Sequence, residues 1–450
     1  MLYKLEKPDL SKVKTEKTAA ILAPILLKND PVMFKHVEEV NEPYLYWDKI
    51  KYNSASEGIT PEGFWMMVKY IRKGNMKQTA IRSEDGKYFT WFKLPILDKI
   101  LHDIDFDCGA NMLSTGRHDN AKEDKIYVYR GIIEEAIASS QLEGASTTRK
   151  AAKQFLTEGR KPKNKSEHMI LNNFNAMQAI ESDYKNKELS FSLLLEMHSL
   201  ITKETIENEA QGRLRRDDEK VVVSDTAEDI IYHIPPQMTF VQEQLSVLMD
   251  FANNKLTEPF IHPVLKAIML HFWMGYLHPF VDGNGRIARL LFYWYLLRGN
   301  YWTFAYLPIS KAIRNSPKQY GMAYVYSEQD DNDMTYFIDY NVRKIIFAEQ
   351  EFKKYLAEKS RENAMIHRPA AAKYGLNDRQ IQLIQYYVGN KGRYSTIEMH
   401  INANRISRMT AFNDLKRLET AGFIKSHKRG RNVYYYSTEK INELFINDQK

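Results

Sequence analysis

Cysteine is almost absent from the 450-residue sequence, which contains only Cys108. A single cysteine cannot form an internal disulfide bond or a cysteine metal cage, so a disulfide-stabilised secreted fold is excluded. Long apolar runs are absent too: AILAPILL from Ala20 and LLFYWYLL from Leu290 are far shorter than the roughly 20 residues that span a bilayer. Since the N-terminal stretch also has no apolar signal core, we expect a cytoplasmic protein with no membrane partner.

Neither sign of charge dominates the chain, because 64 Lys and Arg residues are nearly balanced by 57 Asp and Glu residues. The hydrophobic fraction of 44% and the charged fraction of 27% are those of a soluble globular protein and exclude a disordered one. The basic excess is concentrated in residues 376–450, which hold 13 basic and 7 acidic residues. This distribution indicates an anionic partner for the C-terminal region, nucleic acid first.

The length predicts two or three domains, and no repeat or low-complexity tract is visible. We predict a mainly α-helical fold from the helical pattern that runs from Lys125 to about Lys359. Within it, residues 221–234 carry two β-branched runs around a polar turn and are followed by two prolines, which is typical of a β-hairpin. The predicted regions are an N-terminal α/β or helical lead-in at 1–124, a helical domain at 125–359, a linker at 360–375 and a C-terminal domain at 376–450.

The most informative stretch is YLHPFVDGNGRIARLLFYWYLL, which places a short turn between two mostly apolar helices. Gly283 and Gly285 allow the backbone to approach a ligand closely, and the free N–H groups of the next helix form an anion cradle. Arg286 and Arg289 are three residues apart, so they share a helix face and can contact successive phosphates. The turn therefore has the properties of a phosphate-binding site.

Two further side chains of this turn can carry chemistry. Asp282 offers a hard oxygen ligand to a magnesium ion that bridges phosphates. His278 is the only residue of the loop that titrates near neutral pH and can act as a base. Core packing does not require a base, a cation ligand and two arginines in so short a stretch, so we interpret the turn as a catalytic site.

Residues 278–289, HPFVDGNGRIAR, resemble without a gap the signature His-Pro-Phe-x-(Asp/Glu)-Gly-Asn-Gly-Arg-x-x-Arg of the Fic family. The likeness extends over roughly Tyr129 to Glu358, and every signature position is filled. It implies a Fic-type helical bundle in which the hairpin at 221–234 is the flap. It also implies transfer of AMP from ATP to a Ser, Thr or Tyr hydroxyl group of a target protein.

The resemblance implies a role for each signature side chain. His278 would remove the proton of the target hydroxyl group, and Asp282 would hold Mg²⁺. The residues with implied contacts to the ATP phosphates are Gly283, Asn284, Gly285, Arg286 and Arg289. Tyr320 lies where relatives line the adenosine pocket with paired tyrosines, but its neighbour here is Gln319, so the nucleotide preference stays open.

Glu143 lies at the predicted C-terminal end of a helix, and Gly144 is a natural stop for that helix. The helix dipole disfavours a carboxylate at this end by about 0.3–1 kcal/mol. We therefore expect Glu143 to interact with another part of the tertiary structure. Ser139 to Gly144, SSQLEG, resembles the family's inhibitory motif (Ser/Thr)-x-x-x-Glu-(Gly/Asn). The resemblance implies a self-inhibited subclass in which Glu143 pairs with Arg289 and displaces the γ-phosphate of ATP. A homodimer interface is one arrangement that would hold such a helix in place.

Residues 376–450 resemble a winged helix-turn-helix. Ser407 is a suitable N-cap for the second helix, which ends at Gly422 and is followed by a two-stranded wing. Such a helix suits a major groove, and a basic wing suits phosphates. The candidate DNA contacts are Arg408, Asn413, Arg417, Lys428, Arg429 and Arg431. Winged helices also bind proteins, so both DNA and a protein partner stay open.

The leading interpretation is an ATP- and Mg²⁺-dependent protein adenylyltransferase whose target pairs with a strand edge of the flap. The alternatives are a DNA-binding transcription regulator with a Fic-like body as sensor or dimerisation scaffold, a Fic-type transferase of another phosphate-containing group, and an enzyme that removes AMP. His278 and Asp282 argue against the regulator, because a sensor needs neither a base nor a metal ligand.

Overall fold

The computed structural model of the chain describes residues 1–13, 31–53, 59–106, 121–225, 229–387, 393–430 and 432–441. The protein is mainly α-helical, as predicted. Within the described ranges, no helix is both long enough and apolar enough to span a bilayer.

The helices lie in three successive stretches of the chain. Those of the first stretch are α1 Pro31–Asn41, α2 Trp47–Ile50, α3 Pro61–Gly74 and α4 Ile96–Ile104. Those of the middle stretch are α5 Ala121–Leu142, α6 Arg149–Glu158, α7 Lys165–Ser182, α8 Phe191–Thr202, α9 Met238–Ala252, α10 Pro263–Leu277, α11 Asn284–Arg298, α12 Ile309–Arg314 and α13 Pro317–Gln329. Those of the last stretch are α14 Thr335–Tyr374, α15 Asp378–Tyr387, α16 Ile397–Asn404 and α17 Arg408–Thr420.

The strands are short and form three small antiparallel sheets. They are β1 Met76–Arg82, β2 Tyr88–Phe92, β3 Val223–Asp225, β4 Ile230–His233, β5 Tyr394–Ser395, β6 Ile424–Arg429 and β7 Asn432–Ser437. The pairs β1–β2 and β3–β4 are hairpins, and the third sheet has the strand order β5–β7–β6.

The chain divides into two compact units. The first contains Met1–Met112, Asn175–Phe304 and Ile309–Ile346. The second contains Leu113–Phe174, Ala305–Pro308 and Phe347–Lys450. The predicted inhibitory helix and the C-terminal domain thus fall in one unit, and the predicted catalytic turn falls in the other.

The core of the first unit is the pair α10 and α11. Nearly every residue of both helices is buried, including Trp273 and Trp294, because both sequences are apolar on almost all faces. The Trp294 indole N–H donates to the Tyr184 carbonyl oxygen at 2.9 Å, so its polar atom is paired in the core. The turn between these two helices is consequently mounted on the most deeply buried part of the unit.

The N-terminal lead-in is of the α/β type, one of its two predicted forms, and combines α1–α4 with the β1–β2 hairpin. Its anchor is the fully buried Arg72, whose guanidinium group lies 3.7 Å from the centre of the Tyr44 ring. Arg72 also donates to the Asn41 side chain at 2.9 Å and to the Tyr336 hydroxyl at 3.2 Å. A buried arginine needs such partners, so this network ties α3 to the start of α14.

The predicted hairpin at 221–234 is confirmed, with Val223 opposite His233 and Asp225 opposite Ile230. The outer edge of β4 differs from the expectation of an exposed strand. Tyr3 N–H donates to the Ile231 carbonyl at 2.7 Å, and Ile231 N–H donates to the Met1 carbonyl at 2.9 Å. Among the described residues, β3 is therefore the strand of the flap that keeps one edge without a strand partner.

In the second unit, α5 buries the apolar residues whose spacing predicted a helix, including Ile132 and Ile137. The helix ends at Leu142, and Gly144 follows with φ +90°. Ala145 N–H donates to the Ser140 carbonyl at 3.0 Å, a reversal that needs a residue with positive φ at Gly144. The predicted stop at Gly144 is confirmed.

Residues 360–375, the predicted linker, are helical up to Tyr374, because α14 continues without interruption from Thr335. The stretch is rich in Ala, Glu, Arg, Lys and Met, which are strong helix formers. Helix propensity therefore explains why the predicted linker is helical. A helix can still connect two domains, so the predicted boundaries at 124, 359 and 375 stay predictions.

The C-terminal segment, residues 376–441, contains α15, α16 and α17 followed by the β6–β7 hairpin, the element order predicted for it. Ser407 caps α17 as predicted, since its hydroxyl oxygen accepts the Thr410 N–H at 3.1 Å. The sheet has a third strand, β5, which was not predicted from the sequence and which pairs Ser395 with Tyr435.

A buried carboxylate joins the three helices of this segment. Asp414 on α17 accepts from the Arg379 Nε at 2.6 Å, from the Asn377 side chain at 2.9 Å and from the His400 Nε2 at 3.2 Å. Burial alone raises the pKa of the Asp414 carboxyl, but the hydrogen bonds from His400, Arg379 and Asn377 outweigh it and hold this pKa well below its usual range. The position of α17 therefore depends on a charged Asp414.

We predict that Asp414→Asn loosens the C-terminal segment, because it leaves the Arg379 charge without its buried partner, a loss of about 3 kcal/mol. Hydrogen exchange of the full chain should show amides of α15–α17 exchanging about 100-fold faster. The depressed pKa makes the stabilisation present above about pH 4 and lost as pH falls below it. Glu439→Gln, which removes an exposed carboxylate, is the control, and equal exchange in both variants would contradict the prediction.

Candidate active site

The turn after α10 begins at His278, which has φ +47° and ends the helix in the left-handed region. Its N–H donates to the Met274 carbonyl at 3.1 Å, and its ring Nδ1 lies 3.2 Å from the Gly275 carbonyl oxygen. Because a carbonyl oxygen only accepts, Nδ1 carries the ring proton in this geometry. The Nε2 lone pair of the neutral ring is then the atom that can accept a proton.

Arg215, which is distant in sequence, and the nearby Asn284 side chain hold the backbone of this turn. Arg215 Nε donates to the His278 carbonyl at 2.9 Å, and the Arg215 N–H donates to the Pro279 carbonyl at 2.9 Å. The Asn284 side chain accepts the Phe280 N–H at 2.9 Å and donates to the Phe280 carbonyl at 2.8 Å. The His278 backbone is therefore positioned by direct hydrogen bonds rather than by the loop's own conformation.

His198 on α8 holds the other end of the turn. Its fully buried ring stacks on Phe280 with 3.8 Å between centroids, and its Nε2 lies 3.0 Å from the Asp282 carbonyl oxygen. Gly212 N–H donates to Nδ1 at 3.0 Å, so Nδ1 is the acceptor and the proton resides on Nε2. Burial lowers the pKa of His198 to about 4, which keeps the ring neutral and in this tautomer at pH 7.

The flap is attached to the end of α10, next to the turn, through His233 on β4. Its Nδ1 lies 2.7 Å from a Glu328 carboxylate oxygen, and its Nε2 lies 2.8 Å from the Tyr276 carbonyl oxygen. Burial lowers the pKa of His233, but the Glu328 charge outweighs it and the net shift is upward. With two acceptors around it, the ring is a charged donor at both nitrogens, 6.4 Å from the His278 ring.

The start of α11 carries Gly283 and Arg286, two of the residues that the sequence assigns to an anion cradle. Gly283 has φ +87°, and a Cβ atom there would lie 3.1 Å from the Thr202 side chain, so glycine is required. The fully buried Arg286 donates to the Ile201 carbonyl at 2.9 Å and approaches an Asp282 carboxylate oxygen at 3.3 Å. In the part of the chain that the structure describes, Arg286 Nε has no hydrogen-bond partner. A buried donor of this kind suits an anion.

The next predicted arginine, Arg289, lies one turn further along α11 and is 3% exposed. Burial and the positive charge of Arg289 together hold the pKa of His271 well below its usual range. His271 Nε2 lies 2.8 Å from the Tyr320 hydroxyl oxygen. The structure thus connects Tyr320 to the neighbourhood of Arg289 through His271, a residue that the sequence analysis did not single out.

Asp282 is the residue of the turn that fits a magnesium ion, as a single carboxylate ligand. Groups of three or more His, Cys, Asp or Glu side chains suited to a metal are not found among the described residues. The Asp282 side chain is 40% exposed, and one of its carboxylate oxygens accepts the Gly283 N–H. Mg²⁺ is commonly held by one or two carboxylates together with substrate phosphates, so Asp282 suits an ion that arrives with a nucleotide.

The remaining predicted residues lie in the second unit. Ser139 is buried within α5, Glu143 is half-buried just beyond the end of α5, and Gly144 is exposed. The candidate DNA contacts that the structure describes are all exposed, and they are Arg408, Asn413, Arg417, Lys428 and Arg429. Arg431 lies outside the described residues.

Comparison with known proteins supports the assignment of the turn. Residues 188–296 match the family model described as Fic/DOC family. Residues 188–296 form a Fic domain. The match begins just before α8 and runs almost to the end of α11, so it includes both helices that flank the turn at residues 278–283 and also His198.

Two relatives are similar to part of the chain. A protein adenylyltransferase Fic of Nematostella vectensis is 32% identical over 117 residues, which is 26% of this chain and 25% of the relative. The protein adenylyltransferase fic-1 of Caenorhabditis elegans is 32% identical over 117 residues and is covered to 21%. The chain thus spans a quarter or less of the length of these two relatives.

A crystal structure of a Fic family protein from Desulfovibrio desulfuricans is similar to part of the chain in structure. The similar region covers 76% of this chain and 96% of the crystallised chain, with a TM-score of 0.47 and 20% identity.

We predict that His198→Leu loosens the turn of the Fic domain, because the Asp282 carbonyl and the Gly212 N–H lose their buried partner, at a cost of about 1–3 kcal/mol. Hydrogen exchange at residues 279–287 should accelerate about tenfold or more. His198→Gln keeps an N–H donor near the position of Nε2 and should restore most of the protection. Equal protection in His198→Leu and the unaltered chain would show that the hydrogen bonds of His198 do not hold the turn.

Proposed function

We propose that the chain is a Fic-type transferase that moves AMP from ATP to a Ser, Thr or Tyr hydroxyl group of a target protein. The observation that carries the proposal is one turn in which the proton-accepting Nε2 of His278 and the helix start at Gly283 are held by buried side chains. A base next to an anion cradle is what attack of a hydroxyl group on a phosphate requires. The names of the similar relatives, protein adenylyltransferases, agree with this chemistry.

In the proposed reaction the hydroxyl oxygen attacks the α-phosphorus while His278 Nε2 takes its proton. A bond forms between the hydroxyl oxygen and the α-phosphorus, and the bond between this phosphorus and the pyrophosphate oxygen breaks. The Nδ1 proton of His278, directed at the Gly275 carbonyl, keeps the ring in the tautomer that presents Nε2 as the base. Arg215 and His198 contribute by fixing the turn, since transfers of this type depend mainly on positioning.

The charge that develops on pyrophosphate would be met by the N–H groups at the start of α11, by Arg286 and by Arg289. Both arginines are buried, so their interactions with phosphate are screened by solvent less than at the surface. Asp282 would hold Mg²⁺, which when bound neutralises charge on the phosphates.

The target is proposed to pair with the flap. The β4 edge is covered by residues 1–3, and β3 is the strand with an edge that no other described strand covers. An extended target segment would add to β3 through main-chain hydrogen bonds and so bring its hydroxyl group to His278. The His233 contacts with Glu328 and Tyr276 make the flap a fixed docking element relative to the turn.

The proposed brake is Glu143, which follows α5 in a sequence that resembles the family's inhibitory motif. In that motif the glutamate pairs with the second signature arginine, here Arg289, and so prevents the γ-phosphate from binding. The exposed Gly144, with φ +90°, supports this proposal because it reverses the chain directly after Glu143. A similar glutamate serves AMP removal in some relatives, so the test also measures the reverse reaction.

The experiment incubates the full chain with MgCl₂ and with ATP labelled at either the α- or the γ-phosphate, in the presence of cell lysate. We expect the added chain to increase incorporation of label from the α-phosphate only, relative to lysate without the chain. Glu143→Gly should raise the incorporation about tenfold or more, the range of a moderate coupling energy. Adding His278→Ala to this variant should lower incorporation about 100-fold or more, because the general base is lost. Ser146→Gly places a glycine in the same turn but keeps the carboxylate, so it should change little.

Other outcomes reject the proposal in distinct ways. Label from the γ-phosphate alone would identify a kinase. No label from either position in Glu143→Gly would exclude the ATP-dependent transferase and favour another donor or the regulator. Loss of label from a modified lysate protein on addition of the unaltered chain would identify AMP removal as its main reaction.

A further inference from the structure

The face formed by α17 and β6 is strongly basic. Between Arg408 and Ser437 the sequence has seven Lys and Arg residues and two acidic residues, Asp414 and Glu419. Asp414 is buried, and Glu419 accepts the Ser426 N–H at 2.8 Å, which also joins the end of α17 to β6. The exposed basic side chains of this face are Arg408, Lys416, Arg417, Lys425, Lys428 and Arg429. A partner of this face must be anionic.

The exposed side of α17 also carries groups that can contact base edges. Met409 is 68% exposed, Phe412 is 41% exposed, and Asn413 is exposed beside them. An asparagine amide pairs with adenine in the major groove, and apolar side chains contact the thymine methyl group. The Asp414 network fixes this helix against α15 and α16, so these groups are presented from a rigid element. Met409 and Phe412 thus add exposed apolar surface to the basic face.

The same segment packs against the α5–α6 hairpin, within the second unit. The Asn402 side chain on α16 donates to the Thr157 carbonyl at 3.0 Å, and the Tyr394 hydroxyl donates to a Glu158 carboxylate oxygen at 2.6 Å. The Arg405 guanidinium group lies 5.9 Å from the centre of the Tyr129 ring on α5. The C-terminal segment therefore contacts both helices on either side of the turn that carries Glu143.

The hairpin is itself bonded across its turn. Arg149 at the start of α6 makes two hydrogen bonds to the Glu134 carboxylate on α5, and Gln141 donates to the Thr147 carbonyl at 2.8 Å. His400 on α16 contacts Asp414 on α17 at 3.2 Å. A continuous set of contacts thus runs from α17 through α16 to α5 and α6.

We propose that duplex DNA binds the face of α17 and β6, and that this binding restrains the α5–α6 hairpin through α16. Base edges would contact α17, and phosphates would contact the β6 lysines and arginine. A ligand that orders α16 and α17 also strengthens their packing on α5 and α6. The binding face and the α5–α6 hairpin are then coupled because ordering of one favours ordering of the other. An effect of DNA binding on the inhibitory role of Glu143 rests on the proposed function. The coupling between DNA binding and the order of the α5–α6 hairpin does not.

The first test measures fluorescence anisotropy of a mixed-sequence duplex of about 25 base pairs, long enough for two helical turns, with the full chain. We expect binding that weakens steeply with salt. The double variant Lys428→Gln, Arg429→Gln should lower the affinity for the duplex about tenfold or more. It should also reduce the slope of log affinity against log salt concentration by about 2. Lys354→Gln, an exposed lysine of α14, is the matched control and should bind as the unaltered chain does. No binding, or an equal loss in Lys354→Gln, would overturn the proposal and favour a protein partner.

The second test follows hydrogen exchange of residues 130–158 with and without the duplex. We expect slower exchange, by about threefold or more, when the duplex is bound. The double variant Tyr394→Phe, Asn402→Ala removes both interface hydrogen bonds, so it should still bind the duplex but lose this protection. Unchanged or faster exchange in the unaltered chain at saturating duplex would overturn the coupling. Neither measurement contains ATP, so failure of AMP transfer would leave both results interpretable.

Discussion

The hydrogen bonds to the backbone of residues 278–284 are the interactions on which the candidate site depends. A turn with two residues of positive φ, His278 and Gly283, does not hold its shape by itself. Here Arg215, His198 and Asn284 each pair with a main-chain carbonyl of the turn. Because these side chains are buried with the ends of α10 and α11, the core itself positions the backbone of the turn.

Burial and neighbouring charges set the protonation states of two histidines near the turn. His198 is neutral because its ring lies in the core next to Arg286, whereas His233 is charged because Glu328 faces it. The two histidines therefore hold opposite ends of the same region, one as a neutral donor and one as a cation. Each is more than 40 residues away from His278 along the chain, so the site is assembled from the whole first unit.

In the second unit, too, a buried polar group positions a structural element through its hydrogen bonds. A charged group, Asp414, is buried where three helices meet, and its partners define how α17 is presented. A ligand that engages α17 acts on helices that already contact α5 and α6. These contacts link ligand binding at the C-terminal segment to the helices on both sides of the turn after α5, whatever the ligand is.

The sequence by itself determined the local features. The apolar α10 and α11, the glycine-initiated cradle, the stop at Gly144 and the cap at Ser407 all depend on neighbouring residues, whose spacing is visible in the sequence. Only the tertiary structure decided which distant side chains hold the turn, because His198 and Arg215 belong to no local pattern and reach it through folding. It also decided that residues 1–3 cover β4, since long-range pairing, not local composition, selects that arrangement.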